Sequence, residues 1–356
     1  MRETQRKTFH DANGRAITVT AWTIRGNAPG PVMTVIAGQH GMEHSGPCLL
    51  PEFAQEMEAG NFRGTLHIIP CANPPALEMD YEFYPEREDL SKIKDYYYSR
   101  FRHNYCPWNL GRDSTVTLYN MNRLWNRPNM PGLAGEITRW LWNEFCGHSN
   151  LIIDMHCLQA RKPVVYNRFP KNLLFAAALG VQRIAMCDPN PDENSRGNLS
   201  WQGSLGRNSY AICLEFSVQH ALAEHEYEFG KQALRNAMCA ARMTAGEVKI
   251  ANPVWKTDFS TPENTQTLKV SHTGHIRYFK ELYDEVHEGD RLFELRDIQT
   301  LEVLEEGRAD RDGIMNGIAY QPVTAPGLAV CYVSEAELLA EPGRKFKKME
   351  EGWHLA

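Results

Sequence analysis

Val32-Met33-Thr34-Val35-Ile36-Ala37-Gly38-Gln39-His40-Gly41-Met42-Glu43 is the stretch from which the rest of the chain is read. Its first half is an apolar run of strand length, and Gly38 and Gly41 punctuate its second half. A buried strand is therefore expected to end in a tight turn. A His and a Glu three positions apart, just past a strand end, can turn an imidazole and a carboxylate toward one point. Ligands of those two types suit zinc, and a zinc site that performs chemistry needs a third protein ligand and an open position. Taken alone, His40-x-x-Glu43 is more often a turn histidine beside a solvated carboxylate. A third ligand has to come from elsewhere in the chain.

The 356 residues suffice for a large core and for two domains. A formal net charge of -6, with both signs spread along the chain, argues against nucleic acid or an anionic membrane as partner. No apolar stretch approaches the roughly 18 to 20 residues that span a bilayer. Residues 1–7 carry charge with no apolar segment behind them, which is not the pattern of a secretory signal. Nine cysteines without a Cys-x-x-Cys pair read as scattered reduced thiols, so a cytoplasmic location is expected.

Working outward, residues 8–25 alternate in polarity and carry the hairpin signal Asn13-Gly14. Past Glu43, Leu49, Leu50, Phe53, Ala54 and Met57 recur at helical spacing with Gly60 behind them. Leu66-His67-Ile68-Ile69-Pro70 is the next strand, and strand, helix, strand argues for an α/β sheet. Residues 81–108 hold nine aromatics in 28 positions, the composition of an insertion that packs on a surface or covers a site. A helix is expected from about Ala134 to Cys146. Leu151-Ile152-Ile153-Asp154-Met155-His156 is a strand delivering a histidine at its tip. A small helix over 172–180, loop over 188–209, a strand at 211–216 and one long helix over 223–246 complete this half. Beyond about residue 251, short alternating runs split by Gly and Pro, with a loose internal echo between Gly274/Gly289 and Gly313/Gly327, suggest a small sandwich of two half-repeats.

His40, Glu43 and His156 form a set of two His and one Glu without thiolates, which suits a catalytic rather than a closed structural zinc. With them in view, the chain resembles the aspartoacylase/succinylglutamate desuccinylase family of zinc amidohydrolases, within the carboxypeptidase A-like clan. The resemblance is carried by Gly38-x-His40-Gly41-x-Glu43, Ile69-Pro70-x-Ala72-Asn73-Pro74, Asn120-x-Asn122-Arg123, Asp154-x-His156 and the late strand glutamate Glu215, and spans roughly residues 15–335. Within that family the Asn-x-Asn-Arg form and Arg112 look most like the N-acetyl-diaminobutyrate deacetylase branch. Met42, where many members have Asp or Asn, and Cys157-Leu158-Gln159-Ala160-Arg161 after His156 depart from the pattern and leave the substrate open.

The resemblance implies a mixed sheet flanked by helices over 1–250 and a smaller all-β domain over 251–356. It implies one zinc per chain held by His40, Glu43 and His156, with Glu215 as general base toward the activated water. Arg112 would stabilise the oxyanion, and Asn122 with Arg123 would grip a substrate carboxylate in bidentate fashion. Asp154 either orients a ligand or caps its strand. The expected activity is removal of an N-acyl group from a small amino acid or related carboxylate-bearing amine. The alternatives are a metallocarboxypeptidase on short peptides and a non-catalytic small-molecule-binding homologue. Homo-oligomer formation is left open.

Overall fold

A computed structural model describes residues 2–79, 84, 120–158, 161–193, 195–219, 224–319 and 321–353. The chain opens with a hairpin, β1 (Arg2–His10) and β2 (Ala16–Arg25), whose turn places Gly14 at φ +79° as the Asn-Gly signal requires. Next come β3 (Ala28–Ala37), α1 (Ser45–Glu58), β4 (Arg63–Ile69) and the short α2 (Pro74–Glu78). After α3 (Gly132–Glu144) come β5 (Leu151–Cys157), β6 (Val164–Asn167), α4 (Leu173–Ala178) and β7 (Arg183–Met186). α5 (Leu199–Gln202), β8 (Tyr210–Phe216) and α6 (Glu224–Ala240) complete the helical part. Among the described residues no helix is long and apolar enough to cross a membrane.

These strands join β9 (Val254–Asp258) and β18 (Ala336–Ala340) in one ten-stranded mixed sheet, ordered β1-β2-β4-β3-β5-β8-β6-β7-β9-β18. Its centre, β4-β3-β5-β8, is parallel, and β6 returns antiparallel to β8. The apolar runs are continuous because both faces are covered. Val35, Ile153 and Leu214 meet Leu49, Leu50 and Phe53 of α1 and Leu234 and Met238 of α6 on one face. Ile36, Ile152 and Ala211 meet Ile137 and Leu141 of α3, Leu199 of α5 and Trp125 on the other. Strand alternation then puts Asp154, His156, Cys213 and Glu215 on that second face.

Between β9 and β18 the chain builds two four-stranded antiparallel sheets. One is β10 (Thr265–Lys269), β17 (Ala329–Ser334), β15 (Gly313–Ile318) and β12 (Glu285–Val286); the other is β14 (Val303–Arg308), β13 (Arg291–Arg296), β11 (Gly274–Tyr278) and β16 (Val323–Thr324). Ile276, Leu292, Leu295, Met315, Val330 and Val333 form their shared core. The expected mixed α/β layer with a smaller β part is the observed architecture.

Two local expectations are corrected. The long helix over 223–246 stops at Ala240, and the chain reverses through Arg242 at φ +58°. Met243 is apolar because it packs on the core from that turn, its carbonyl accepting from Arg63 N–H, not because it continues the helix. The loop over 188–209 contains a 3₁₀ turn (Ser195–Gly197) and α5, which Asn198 caps by accepting from Ser200 N–H at 3.0 Å.

Candidate metal centre

The site forms at the carboxyl ends of β3, β5 and β8, where an open α/β sheet leaves a crevice. Gly38, at φ +65°, ends β3, and Gly41 presses so closely on α2 that an added Cβ would meet Ala76 O at 1.9 Å. Glycine at both positions lets the chain turn within six residues and bring His40 and Glu43 to the same point. His40 Nδ1 lies 2.9 Å from Glu43 Oε1, and His156 Nδ1, from the tip of β5, lies 2.8 Å from Glu43 Oε2. All three side chains are buried, and their donor atoms lie within 4.8 Å of one another.

The outward nitrogens of both imidazoles are engaged as well. His40 Nε2 is 3.1 Å from Asn120 Oδ1, and His156 Nε2 is 3.0 Å from Asp154 Oδ1. Asn120 Oδ1 and Asp154 Oδ1 only accept at those atoms, so an Nε2–H on each ring satisfies them and leaves the two Nδ1 atoms, facing the Glu43 carboxylate, for a metal to share. That is the state a metal-ligating histidine adopts, its other nitrogen held by a carboxylate or amide oxygen. The donor set, two imidazole nitrogens and one carboxylate with no thiolate, fits zinc with a position left over.

The charges respond to this crowding. Burial pushes the Glu43 carboxyl upward, but His40 and His156 outweigh it and hold it well below its ordinary value. Burial by itself would push His156 down; Asp154 and Glu43 overcome it and hold the imidazole well above its usual range. Glu215 keeps part of its surface exposed at the end of β8, in register beside His156. Enough protein surrounds its carboxyl that burial, reinforced by Glu43 and opposed by His156, raises it to about 7. Cys213, two residues back on the same face, donates its thiol to Glu215 Oε1 across 3.5 Å.

Asn122 and Arg123 sit in a 3₁₀ turn, Met121–Arg123, beside His156. Asn122 is buried; its Oδ1 accepts from Leu199 N–H at 3.1 Å and its Nδ2 lies 3.3 Å from His156 Nε2. Arg123 is half-buried and donates from Nη1 to Asn122 O at 2.6 Å. Arg112 and the aromatic segment 81–108, Tyr84 excepted, lie outside the described residues. Tyr84 is buried and donates its hydroxyl to Asp11 Oδ2 at 2.6 Å.

Sequence reading named Asn120 and Asn73 only as parts of motifs, gave Gln39 no role, and passed over Trp125. Gln39 is fully buried, donates to Asp154 Oδ1 at 2.5 Å and accepts from Trp125 Nε1 at 2.8 Å; Asn73 Nδ2 donates to its carbonyl at 3.2 Å. The available signal was an amide side chain next to His40, in a turn that both flanking strands bury. Asp154, His156 and Cys213 form a second group with convergent donor atoms, sharing His156 with the first.

Comparison with known proteins agrees with this architecture. A family model for the succinylglutamate desuccinylase/aspartoacylase catalytic domain matches residues 29–166, which include His40, Glu43 and His156 but not Glu215. The fold is shared with a product-bound ectoine utilization protein EutE (DoeB) from Ruegeria pomeroyi, at 16% identity and TM-score 0.61 over 94% of each chain. It is also shared with a succinylglutamate desuccinylase/aspartoacylase from Rhodobacter sphaeroides, at 15% identity and TM-score 0.64 over 94% of this chain and 96% of that one. An aspartoacylase family protein from Mesorhizobium loti is similar at 17% identity and TM-score 0.62 over 95% of both chains. No curated protein sequence matches the chain. Residues 29–166, with the turn after β3 and the tip of β5 that converge here, match the succinylglutamate desuccinylase/aspartoacylase catalytic domain.

Proposed function

We propose that the chain is a zinc-dependent amidohydrolase that removes an N-acyl group from a small amino acid or a related carboxylate-bearing amine. The observation that carries this reading is the convergence of His40 Nδ1, Glu43 and His156 Nδ1, each imidazole pinned from outside, with Glu215 beside them in register. Zinc, when bound by those three residues, supplies a Lewis acid toward the amide carbonyl and makes water acidic near neutral pH. The remaining work falls to the chain. Glu215, with its carboxyl raised to about 7, is suited to accept a proton at its carboxylate oxygen and to return it to the nitrogen of the leaving amine. Arg123, anchored on the Asn122 carbonyl, is assigned the substrate carboxylate, since a planar guanidinium can bind it through two parallel N–H bonds. Arg112 is assigned stabilisation of the developing oxyanion, a contribution of about 3 to 4 kcal/mol for one such donor.

Metal content is the first test. Protein purified without chelator is expected to hold one zinc per chain, and His156→Ala to hold none. Native protein that stays metal-free after zinc is supplied would overturn the hydrolase reading. A panel of N-acetyl, N-formyl and N-succinyl amino acids then identifies the acyl group. N-acetyl-diaminobutyrate is the first substrate to try, because the Asn120-x-Asn122-Arg123 motif most resembles that branch.

A further inference from the structure

We propose that Gln39 and Trp125 form a positioning pair that keeps His156 in the tautomer a metal ligand needs. The inference rests on the zinc reading of His40, Glu43 and His156. Trp125 and Gln39 are both 0% exposed, 86 residues apart in sequence, and joined by the 2.8 Å bond from the indole Nε1–H to Gln39 Oε1. An indole nitrogen can only donate, so it dictates which end of the Gln39 amide faces which way. The NH2 end is thereby turned toward Asp154, where Nε2 donates to Oδ1 at 2.5 Å. The same oxygen takes the proton of His156 Nε2 at 3.0 Å.

Two details make this chain of bonds consequential. Among the described residues Asp154 Oδ2 is buried with no hydrogen-bond partner, so Oδ1 carries the anchoring of this fully buried carboxylate. Gln39 supplies one of its two donors. Against it stands Asn122, whose Nδ2 lies 3.3 Å from His156 Nε2, whereas Gln39 Nε2, committed to Asp154 at 2.5 Å, is only at the 3.5 Å limit from that nitrogen. A donor there favours the opposite tautomer, with Nε2 accepting and the proton moved to Nδ1, where it would block a metal. Asn122 cannot simply turn its amide, because Oδ1 is committed to Leu199 N–H. If the indole N–H is lost, Gln39 Oε1 becomes a buried acceptor without a partner, and an amide flip would set that oxygen against Asp154. Either outcome weakens the hold of Asp154 on His156 and lets Asn122 compete.

The test is a double-variant cycle on zinc affinity, measured by chelator competition, with Trp125→Phe, Gln39→Met and the pair together. Loss of an outer partner of a metal-bound histidine typically weakens metal binding by about 10- to 100-fold, and each single variant is expected in that range. The double variant should bind no more weakly than Gln39→Met alone, because the two residues act as one unit. Nitrogen-15 spectra of labelled histidine should show His156 Nε2 protonated in the native zinc protein and a mixed state in the variants. Zinc constants within twofold of native in both single variants, or penalties that multiply in the double, would overturn the pair. Should Trp125→Phe fail to fold, Gln39→Met keeps the indole in the core and decides alone by the same criterion. Should the native protein take up no zinc, the zinc reading fails instead. The pair is then judged by urea unfolding of the metal-free variants, where an absence of coupling between positions 39 and 125 overturns it.

Discussion

Glu215 is the residue on which chemistry and titration meet. It stands in an otherwise apolar strand, so its carboxylate is poorly hydrated, and its neighbour Glu43 adds like charge. Glu215→Gln preserves shape and hydrogen-bonding capacity but cannot take a proton. The variant should retain zinc and lose turnover by several orders of magnitude; full activity would remove Glu215 from the mechanism. In the proposed role Glu215 acts ionised, so kcat/KM should fall toward acid with a midpoint no higher than about 7, since the charge of a bound zinc would only lower the Glu215 value. The same shift acts on stability. In the metal-free protein the folded state holds the Glu215 proton up to about 7, whereas the unfolded chain releases it near 4.5. Stability is therefore lost as pH rises through that window, by on the order of 1 to 3 kcal/mol given partial exposure. Glu215→Gln should abolish that loss, which urea unfolding of metal-free protein at pH 5 and pH 8 would reveal.

At the scale of elements, the β3–α1 turn shows what was legible in sequence and what was not. The apolar run, the two glycines and the helical spacing of Leu49, Leu50 and Phe53 placed strand, turn and helix, because each rests on local periodicity and punctuation. Periodicity also showed β5 as a strand with His156 at its tip. It did not show that Gly41 lies against the backbone of α2, or that Gln39 reaches Trp125, since both are contacts between segments distant in sequence. Gly41→Ala tests the first. The new methyl would press on Ala76 O, so α2 or the turn must shift. Overpacking of this kind costs about 1 to 3 kcal/mol. Here it should also displace Glu43 and lower zinc stoichiometry, whereas Gly60→Ala, with 3.4 Å to its nearest neighbour, should leave zinc binding intact. Equal zinc content in the two variants would show that the turn tolerates the shift. The misread end of α6 has a similar cause: apolar residues of a packed turn imitate a helical stripe.

For the whole molecule, the two small antiparallel sheets were visible as a change of texture near residue 251, and we propose the division of the chain there. β9 and β18 were not separable from them in sequence, because short alternating strands look alike whichever sheet they join, yet both extend the large mixed sheet. The candidate metal site, in turn, is held by segments that are remote along the chain: the turn after β3, the 120–125 segment and the tip of β5. A metal bound there should stabilise the folded state by mass action, about 2.7 kcal/mol at a hundredfold excess over Kd, so chelation should lower Tm. The size of that drop should depend on pH, with a sign fixed by His156. Its folded-state pKa is held well above 6.5 by Asp154 and Glu43. In chelated protein, protonated His156 lies between the carboxylates of Asp154 and Glu43, and the stability it lends is full below 6.5 and lost as pH rises through the folded value. The metal-loaded protein does not depend on that proton. The gap in Tm between loaded and chelated protein should accordingly widen as pH rises through the folded value and collapse at every pH in His156→Ala. A gap that narrows as pH rises, or one that persists in His156→Ala, would place the stabilising metal somewhere other than between His40, Glu43 and His156.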